Sequence, residues 1–523
     1  MVAVVAALLH MLPFWHAQWS TQPGYEFTGN LTISPDYMQY RVWERLAVRE
    51  GPIVSNTFTV EPNRPHLPVF FYWGVGHTAR VLGVAPEFVY AYSGAIFAVL
   101  LALLIWAFVR RYLADAVMRW WVFVAIMFGG GLGGYLKLLE ATPVLGQLPI
   151  VRSVLIDPVA PWPVFEEYRS HYVFKALYDS HFLLLWIVAL LAILALARAL
   201  ERYTPARAAL AAAAFAAMTV LHVYEGVTLL AIAMAAVAAS WRHEAERKTA
   251  LHLVAWTSVG VVAVYAVLGF LFVRSGMPAP EWRAVNILLS IVVIAFPIAW
   301  WLMAVGLRDY WSGAGPRERF LVGWAAACTV LTLSGPFYPY PDRGTLTMPV
   351  PVLLIAGAIF ATRYGRPTKV ALVVALAVFS AGPIWQIARS WYFSGFRPDA
   401  PFMYLSTDHR AVIEDLKARA TTTDVLLAEG PDLLWMAPEH PGRLYLGHFF
   451  LTPNYRQKRE ALELAMAEPD SLGALLDRSG ARWLFASAGR DVAGVARVPG
   501  LTVVRAGAAG TLFEVRRVPP GGG

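Results

Sequence analysis

The chain has 523 residues, of which 58% are hydrophobic and only 15% are charged. Soluble domains are about one quarter charged, so this composition, with a mean hydropathy of +0.52, excludes an ordinary soluble protein. The formal net charge of +8 does not indicate a nucleic-acid partner, because the basic residues are concentrated in turns between apolar runs. The single cysteine, Cys328, excludes an intrachain disulfide and a metal site built on several cysteines.

An α-helical, polytopic membrane protein is predicted, with about eleven transmembrane helices, since a crossing needs about 20 apolar residues. The predicted spans cover residues 2–15, 88–109, 118–136, 181–197, 207–221, 226–241, 250–273, 285–307, 320–336, 346–362 and 370–388. The first run is short and could also be a signal-peptide core, but we favour a helix. The polar stretch around Glu225 predicts that two helices meet at an outer-surface break there, because charged groups are costly in hydrocarbon.

Clusters of basic residues orient the chain, because Lys and Arg near the ends of spans favour the cytoplasmic side. Five clusters lie between apolar runs: Arg110/Arg111/Arg119, Arg198/Arg202/Arg207, Arg242/Arg247/Lys248, Arg308/Arg317/Arg319 and Arg363/Arg366/Lys369. If all five are cytoplasmic, the N-terminus is cytoplasmic, and the large first loop, 16–87, lies outside. A multi-pass protein of a bacterial inner membrane is therefore predicted, with its candidate chemistry outside the cytoplasm.

The chain changes character near residue 398. Residues 1–398 are predicted to form the membrane domain, residues 399–517 an extracytoplasmic α/β domain, and residues 518–523 a disordered tail. Strand-like runs at 425–428, 444–447, 483–486, 501–504 and 512–515 alternate with helix-like runs at 409–418, 454–466 and 471–479. This order predicts a small, mostly parallel sheet covered by helices. Gly447 and His448 follow one strand, and ligands often bind where strands of such sheets end.

Asp36 is the leading candidate for chemistry. It follows the first apolar run and precedes an amphipathic helix predicted over about residues 37–50, near the depth of a lipid headgroup. A carboxylate there can accept a proton from an acceptor hydroxyl or hold a divalent cation. Asp is also a favoured residue for capping a helix, and on geometry alone capping is the more common role.

Three further positions are candidates for binding substrate. Arg343 lies in an outer turn directly before a span, where a guanidinium suits a phosphate, although an ion pair with Asp342 fits equally well. His222 and Glu225 interrupt an apolar stretch, and ionisable groups at membrane depth are often functional. A helix end at the interface, with neither residue deeply buried, is the structural alternative for this pair.

The order of features resembles the C-type (GT-C) membrane glycosyltransferases, the superfamily of protein mannosyltransferases, oligosaccharyltransferases and lipid A aminoarabinose transferases. The string Ser34-Pro35-Asp36-Tyr37-Met38-Gln39-Tyr40 is similar to the loop motif in which these enzymes carry an acidic catalytic residue. The segment Thr59-Val60-Glu61-Pro62-Asn63-Arg64-Pro65-His66 also looks like bacterial members. Many members pair two acidic residues, whereas Tyr37 follows Asp36 here, and this favours a base over a metal ligand.

The resemblance implies a polyprenyl-phosphate sugar as donor and a lipid, glycan or protein outside the cytoplasm as acceptor. Asp36 would be the catalytic base of an inverting transfer, or a ligand of a Mg or Mn ion. Residues implied or expected to contact substrate are Glu61, Arg64, His66, His222, Glu225, Tyr340 and Arg343.

Two other functions remain open from the sequence. A lipid or solute transporter would also carry ionisable groups in its spans, but such proteins often show two related halves, and the sequence shows no internal symmetry. A non-catalytic receptor or assembly protein would explain the outer domain. Only the enzyme hypothesis expects Asp36, Arg343 and Glu225 to converge on one outer cavity.

Overall fold

The structure, a computed structural model, describes residues 1–31, 35–129, 177, 179–278, 297–334, 346–363, 391–392 and 394–516. The chain packs as two compact units. The helical unit consists of Met1–Leu12, Ala91–Val267 and Trp282–Tyr392, and the mixed unit of Pro13–Tyr90, Leu268–Glu281 and Phe393–Gly523. Each unit is assembled from separate stretches of the chain, and the predicted membrane boundary near residue 398 stays a prediction.

Twelve helices lie in the described residues before residue 392. They are α1 Val2–Ser20, α2 Pro35–Glu50, α3 Phe70–Leu82, α4 Pro86–Tyr112, α5 Ala116–Phe128, α6 Ser180–Glu201, α7 Pro205–Leu221, α8 Val223–Ala239, α9 Glu244–Ser275, α10 Pro297–Ser312, α11 Pro316–Leu333 and α12 Pro349–Arg363. Ten of the predicted spans overlap one of these helices, and the run at 370–388 lies outside the described residues.

Four of the described helices, α1, α4, α6 and α9, are long and apolar enough to cross a membrane, and α5, α7, α8 and α12 are shorter apolar helices. The protein is therefore a membrane protein, while the number of crossings stays a prediction. The core of the helical unit includes Trp186 of α6 and Trp324 of α11, both fully buried. Local signals start the helices: Asp179 accepts a hydrogen bond from His181 N at 2.9 Å before α6, and Pro205 opens α7.

The predicted pair of helices between Ala208 and Trp241 is present, but the break falls at His222 and not at Glu225. Glu225 lies in the first turn of α8 and is only 2% exposed, so the interpretation that neither residue is deeply buried is wrong for this carboxylate. Gly226 permits the tight connection, because a Cβ there would lie 2.5 Å from Thr219 Oγ1. A side chain at this position would force α7 and α8 apart.

Ion pairs join several predicted cytoplasmic helix ends within the helical unit. Glu201, at the end of α6, contacts Arg111 at the end of α4, with 2.5 Å between Oε2 and Nη2, and also Arg317 at the start of α11. Arg319 donates to Glu246 at the start of α9, with 2.6 Å between Nη2 and Oε1. Members of four basic turns therefore lie on one side of this unit, as the predicted topology requires.

The mixed unit contains the strands β1 Tyr25–Phe27, β2 Ile53–Val54, β3 Leu67–Pro68, β4 Tyr404–Ser406, β5 Val425–Leu427, β6 Arg443–Leu444, β7 Trp483–Ser487, β8 Leu501–Gly507 and β9 Gly510–Val515. Its later helices are α13 Thr407–Arg419, α14 Gly430–Met436, α15 Tyr455–Ala467, α16 Pro469–Ser479 and α17 Val492–Val495. The strands and helices predicted after residue 398 are all present, with bounds shifted by a few residues.

The main sheet has five strands in the order β6-β5-β7-β9-β8, and it is mixed, so the expectation of a mostly parallel sheet is wrong. Strand β5 pairs parallel with β6 and β7, whereas β9 pairs antiparallel with β7 and β8. The reason is the connection between β8 and β9, which consists only of Ala508 and Ala509. A parallel neighbour needs a crossover connection of a dozen or more residues. A two-residue turn therefore permits only an antiparallel pair.

The first loop belongs to the mixed unit and does not stand apart from the sheet. Helix α2 confirms the predicted helix, and it packs against α3 at Gly76, where a Cβ would lie 2.7 Å from Glu44 O. The guanidinium of Arg45 donates to Pro438 O at 2.8 Å, and that of Arg49 donates to Pro441 O at 3.0 Å. These contacts fix α2, and with it Asp36, against the segment between α14 and β6.

Candidate active site at Asp36

Asp36 lies in the first turn of α2 and meets a histidine from the distant C-terminal part of the chain. Its Oδ1 is 2.9 Å from Nε2 of His448, a residue 412 positions away. The carboxylate side chain is 52% exposed, whereas the imidazole is only 2% exposed. The site therefore combines an accessible carboxylate with a buried group that fixes it.

The hydrogen bonds of His448 define which ring nitrogen carries the hydrogen. The backbone N–H of Phe450 donates to Nδ1 of His448, with 3.3 Å between the nitrogens. A nitrogen that accepts a hydrogen bond carries no hydrogen, so the neutral ring holds its hydrogen on Nε2. His448 therefore donates from Nε2 to the carboxylate of Asp36.

The loop after β6 holds His448 rigidly. Thr452 Oγ1 accepts from Gly447 N at 3.1 Å and donates to Phe58 O at 2.7 Å, while Thr452 N donates to His448 O at 2.8 Å. A Cβ at Gly447 would lie 2.7 Å from the ring of Phe58, so glycine is needed for this approach. The ring of Phe449 stacks on the imidazole at 4.5 Å. Contacts on several sides thus leave the imidazole little freedom.

The position of Asp36 within α2 bears on whether it also stabilises the start of this helix. The helix begins at Pro35, so Asp36 is its second residue, and Ser34 before it lies outside the described residues. A negative charge in the first turn still favours the helix, because it faces the positive end of the helix dipole. Asp36 is therefore a first-turn carboxylate that contacts His448, and the capping interpretation stays a prediction.

The three substrate residues predicted on the first loop have different surroundings: Glu61 is ion-paired, Arg64 is exposed and His66 is buried. Glu61 accepts from Nζ of Lys458 at 2.7 and 2.9 Å, and that ammonium also lies 3.3 Å from Thr59 Oγ1. Arg64 has an exposed side chain, and its carbonyl oxygen accepts from Nδ1 of the buried His66 at 2.8 Å. Burial lowers the pKa of His66, so a neutral, structural ring describes it best.

A buried ion pair lies further along α2. Arg41 Nη1 is 2.8 Å from Glu44 Oε2 and 3.7 Å from Glu87 Oε2, and the guanidinium lies over the ring of Tyr90 at 5.4 Å. Burial raises the pKa of Glu44 from 4.5 to about 7, although the nearby Arg41 opposes the rise. This carboxyl group therefore titrates near neutral pH.

Two of the remaining predicted substrate residues are in the helical unit, and two lie outside the described residues. His222 and Glu225 are in the helical unit, where the rings of His222 and His181 are 6.2 Å apart. Arg343 and Tyr340 lie outside the described residues, so the predicted phosphate contact stays a prediction. The expected convergence of Asp36, Arg343 and Glu225 likewise stays a prediction.

No group of three or more His, Cys, Asp or Glu side chains with metal-binding geometry occurs among the described residues. At Asp36 the neighbouring imidazole directs its Nε2 hydrogen at the carboxylate, which does not fit a ring nitrogen that binds a metal. The described part of the chain thus offers no complete cation site, and the Mg or Mn ion stays a prediction.

Sequence reasoning found Asp36 but did not assign His448 a role in the same site. The available signal was its position directly after a strand, where ligands often bind in α/β sheets. No local pattern connects two residues that are 412 positions apart. Only the packing of α2 against the C-terminal segment brings them together.

The fold is shared by solved membrane glycosyltransferases. The crystal structure of the Archaeoglobus fulgidus oligosaccharyltransferase, in complex with Zn and sulfate, matches 99% of this chain and 73% of its own at a TM-score of 0.56 and 12% identity. ArnT from Cupriavidus metallidurans, bound to undecaprenyl phosphate, matches 98% of this chain and 97% of its own at a TM-score of 0.53 and 12% identity. The chain has the fold of the GT-C glycosyltransferases.

A third structure with the GT-C fold is the arabinofuranosyltransferase AftD from Mycobacteria. It matches 99% of this chain at a TM-score of 0.55 and 17% identity, and the chain spans 40% of its length. Comparison of the sequence with protein-family models and with curated proteins finds no match. At these identities the GT-C likeness shows the fold alone, and the activity has to be argued from the site.

Proposed function

We propose that this protein is a membrane glycosyltransferase, which moves a sugar from a polyprenyl-phosphate donor to an acceptor outside the cytoplasm. The observation that carries the proposal is the accessible carboxylate of Asp36, held by the buried His448 on a GT-C fold. The likeness to ArnT bound to undecaprenyl phosphate supports a lipid-linked donor, and the oligosaccharyltransferase tethered to an acceptor peptide supports a separate acceptor.

Asp36 acts as the general base in the proposed reaction. Its carboxylate takes the proton of an acceptor hydroxyl, and the hydroxyl oxygen forms a bond to the anomeric carbon of the sugar. The bond from that carbon to the phosphate oxygen breaks, and the lipid phosphate leaves with the electron pair. Attack opposite the leaving group inverts the anomeric centre. A carboxylate has about four lone-pair sites, so the hydrogen bond from His448 does not saturate it.

The phosphate of the donor needs a cation, because negative charge develops on it as the sugar leaves. Arg343, with Tyr340 in the same predicted outer turn, is the proposed partner, since a guanidinium donates two parallel hydrogen bonds to a phosphate. Arg64 is a second cation on the first loop, and its side chain is exposed. His222, at the break between α7 and α8, and Glu225, in the first turn of α8, are proposed as further substrate contacts.

A direct test is to supply the full chain in nanodiscs with a panel of polyprenyl-phosphate sugars and candidate acceptors. A new glycosidic product, together with release of the polyprenyl phosphate, is expected for at least one pair. Proteoliposomes made from the same protein are assayed in parallel for movement of lipid or solute. Movement of lipid or solute without any glycosidic product would contradict the proposed enzyme and indicate a transporter.

A further inference from the structure

We infer that His448 is a positioning residue, which orients the carboxylate of Asp36 for proton transfer through its Nε2 hydrogen. The inference rests on the proposed function. It adds that the proposed reaction at Asp36, on α2, also requires His448. That residue belongs to the loop after β6 and is folded with the main sheet of the mixed unit.

The surroundings of His448 are apolar, so packing alone does not explain why an imidazole occupies this position. The rings of Phe58, Phe449 and Phe450 lie 6.3, 4.5 and 5.9 Å from it, and only 2% of its side chain is exposed. A buried polar ring costs free energy unless both nitrogens are hydrogen-bonded, and an aliphatic side chain would fill such a space more favourably. Both nitrogens of His448 have partners, and one of these partners is Asp36.

The direction of each hydrogen bond gives His448 one specific task. Phe450 N donates to Nδ1, and this bond leaves the only ring hydrogen on Nε2, 2.9 Å from Asp36 Oδ1. A donor aimed at a half-exposed carboxylate restricts its rotation, so one oxygen is held by His448 and the carboxylate keeps one orientation for proton transfer. Only 2% of the His448 side chain is exposed, so we place its action at Asp36 and not at the acceptor itself.

The rigidity of the loop makes this donor a fixed reference point. Thr452 links Gly447 N and Phe58 O, and Thr452 N is bound to His448 O. The loop after β6 and the residues before Glu61 are therefore one hydrogen-bonded structure. A misplacement of about 1 Å in a reacting group can cost roughly 100-fold in rate, so a fixed donor matters for catalysis.

Three substitutions of His448 distinguish a hydrogen bond donated to Asp36 from a role in packing alone. The amide nitrogen of Gln in His448→Gln can reach the place of Nε2 and donate to Asp36. The amide of Asn in His448→Asn is one methylene shorter, so it occupies the place of Nδ1 and does not reach. His448→Leu removes all hydrogen bonding. His409→Leu is the matched control, because His409 is also partly buried in the mixed unit and its Nδ1 is hydrogen-bonded to a side chain other than Asp36, Ser406 Oγ at 2.7 Å.

The experiment measures kcat and KM for the donor in nanodiscs, with thermal unfolding of each variant. We expect His448→Leu and His448→Asn to lose roughly 10- to 100-fold in kcat with little change in KM. His448→Gln should recover most of the rate, and His409→Leu should lose stability but keep its kcat. If the Gln and Asn variants fall equally, or if the Asn variant keeps the wild-type kcat, the positioning role is wrong.

Failure of the proposed function has a different signature. A wild-type protein that transfers no sugar from any donor in the panel overturns the glycosyltransferase proposal and this inference together. An active wild type whose rate is indifferent to His448 overturns the inference alone.

Discussion

The position of Asp36 suits both of the roles proposed for it, in its helix and in the proposed reaction. It is the second residue of α2, where its charge favours the helix dipole, and it is half exposed beside a buried donor. A side chain that only stabilised the helix would not need the imidazole of His448. Substitutions that keep the helix but change the carboxylate therefore separate the two roles.

Asp36→Asn is expected to abolish most turnover without unfolding the protein. The Asn oxygen can still accept from His448 Nε2, but the amide is not a base, and loss of a general base commonly costs about 10²–10⁴ in rate. The measurement is turnover in nanodiscs beside the thermal unfolding midpoint. The control is Asp408→Asn, because Asp408 is likewise the second residue of its helix, α13. Near-wild-type turnover of the Asp36 variant would reduce Asp36 to a helix residue.

Glu44 gives the mixed unit a pH dependence with a definite sign. Burial raises the pKa of Glu44 from 4.5 to about 7, so the folded state binds this proton more tightly than the unfolded state. The contribution of this bound proton to the stability of the folded state is fully present below pH 4.5 and is lost as the pH rises through 7. Glu44→Gln should remove a dependence worth about 1–3 kcal/mol between these limits. Unfolding midpoints of both proteins across pH 5–8 test it, and parallel curves would contradict the buried-acid interpretation.

At the level of secondary-structure elements, a glycine determines how closely α3 packs against α2. Helix α3 contains Gly74, which has nothing within 4 Å of an added Cβ, and Gly76, whose Cβ would meet Glu44 O and Val48 Cγ2 at 2.7 Å. The same residue type therefore has two different roles on one helix. In the first case it is a weak helix former, and in the second it sets the distance between α2 and α3.

Gly76→Ala should lower the free energy of unfolding by about 1–3 kcal/mol, because the added methyl group meets backbone that cannot move aside easily. Gly74→Ala should leave stability unchanged or raise it by up to about 1 kcal/mol, as alanine is the better helix former. Thermal unfolding of the two variants beside the wild type is the measurement. Equal effects of the two substitutions would show that α2 and α3 are not in close contact at Gly76.

The distribution of charge predicts how the whole molecule is oriented in the membrane. The ion pairs of Glu201 with Arg111 and Arg317 place three helix ends of the helical unit on one side, and all are next to predicted cytoplasmic clusters. If that side is cytoplasmic, residues 16–87 and 399–517 are outside. The candidate site at Asp36 then faces the compartment in which an extracytoplasmic acceptor is found.

Cysteine labelling can test this orientation with little background, since the only native cysteine, Cys328, is buried in the helical unit. In a Cys328→Ser protein, Arg202→Cys should be protected from a membrane-impermeant reagent in intact cells and react after permeabilisation. Exposed Arg64→Cys should react without permeabilisation. A reporter fused after Arg517 that is active only in the cytoplasm would contradict the topology.

The sequence by itself determined the class of protein and the identity of its elements. Apolar runs, helix-start residues such as Asp179 and Pro205, and the alternation after residue 398 are local signals, and the helices and strands follow them closely. The prediction of Asp36 as a candidate is also local, since it follows from the amphipathic helix that its neighbouring residues form. These features are encoded within about ten to twenty positions, the range over which periodicity can be read.

Only the tertiary structure decided how those elements meet. The sheet is mixed because a two-residue turn returns β9 beside β8, and Glu225 is buried because Gly226 allows α8 to pack closely beside Thr219. The contact of Asp36 with His448 spans 412 positions. Hydrophobic patterning states that a segment is buried but not what buries it, so pairings between distant polar side chains come from the packing of the whole unit.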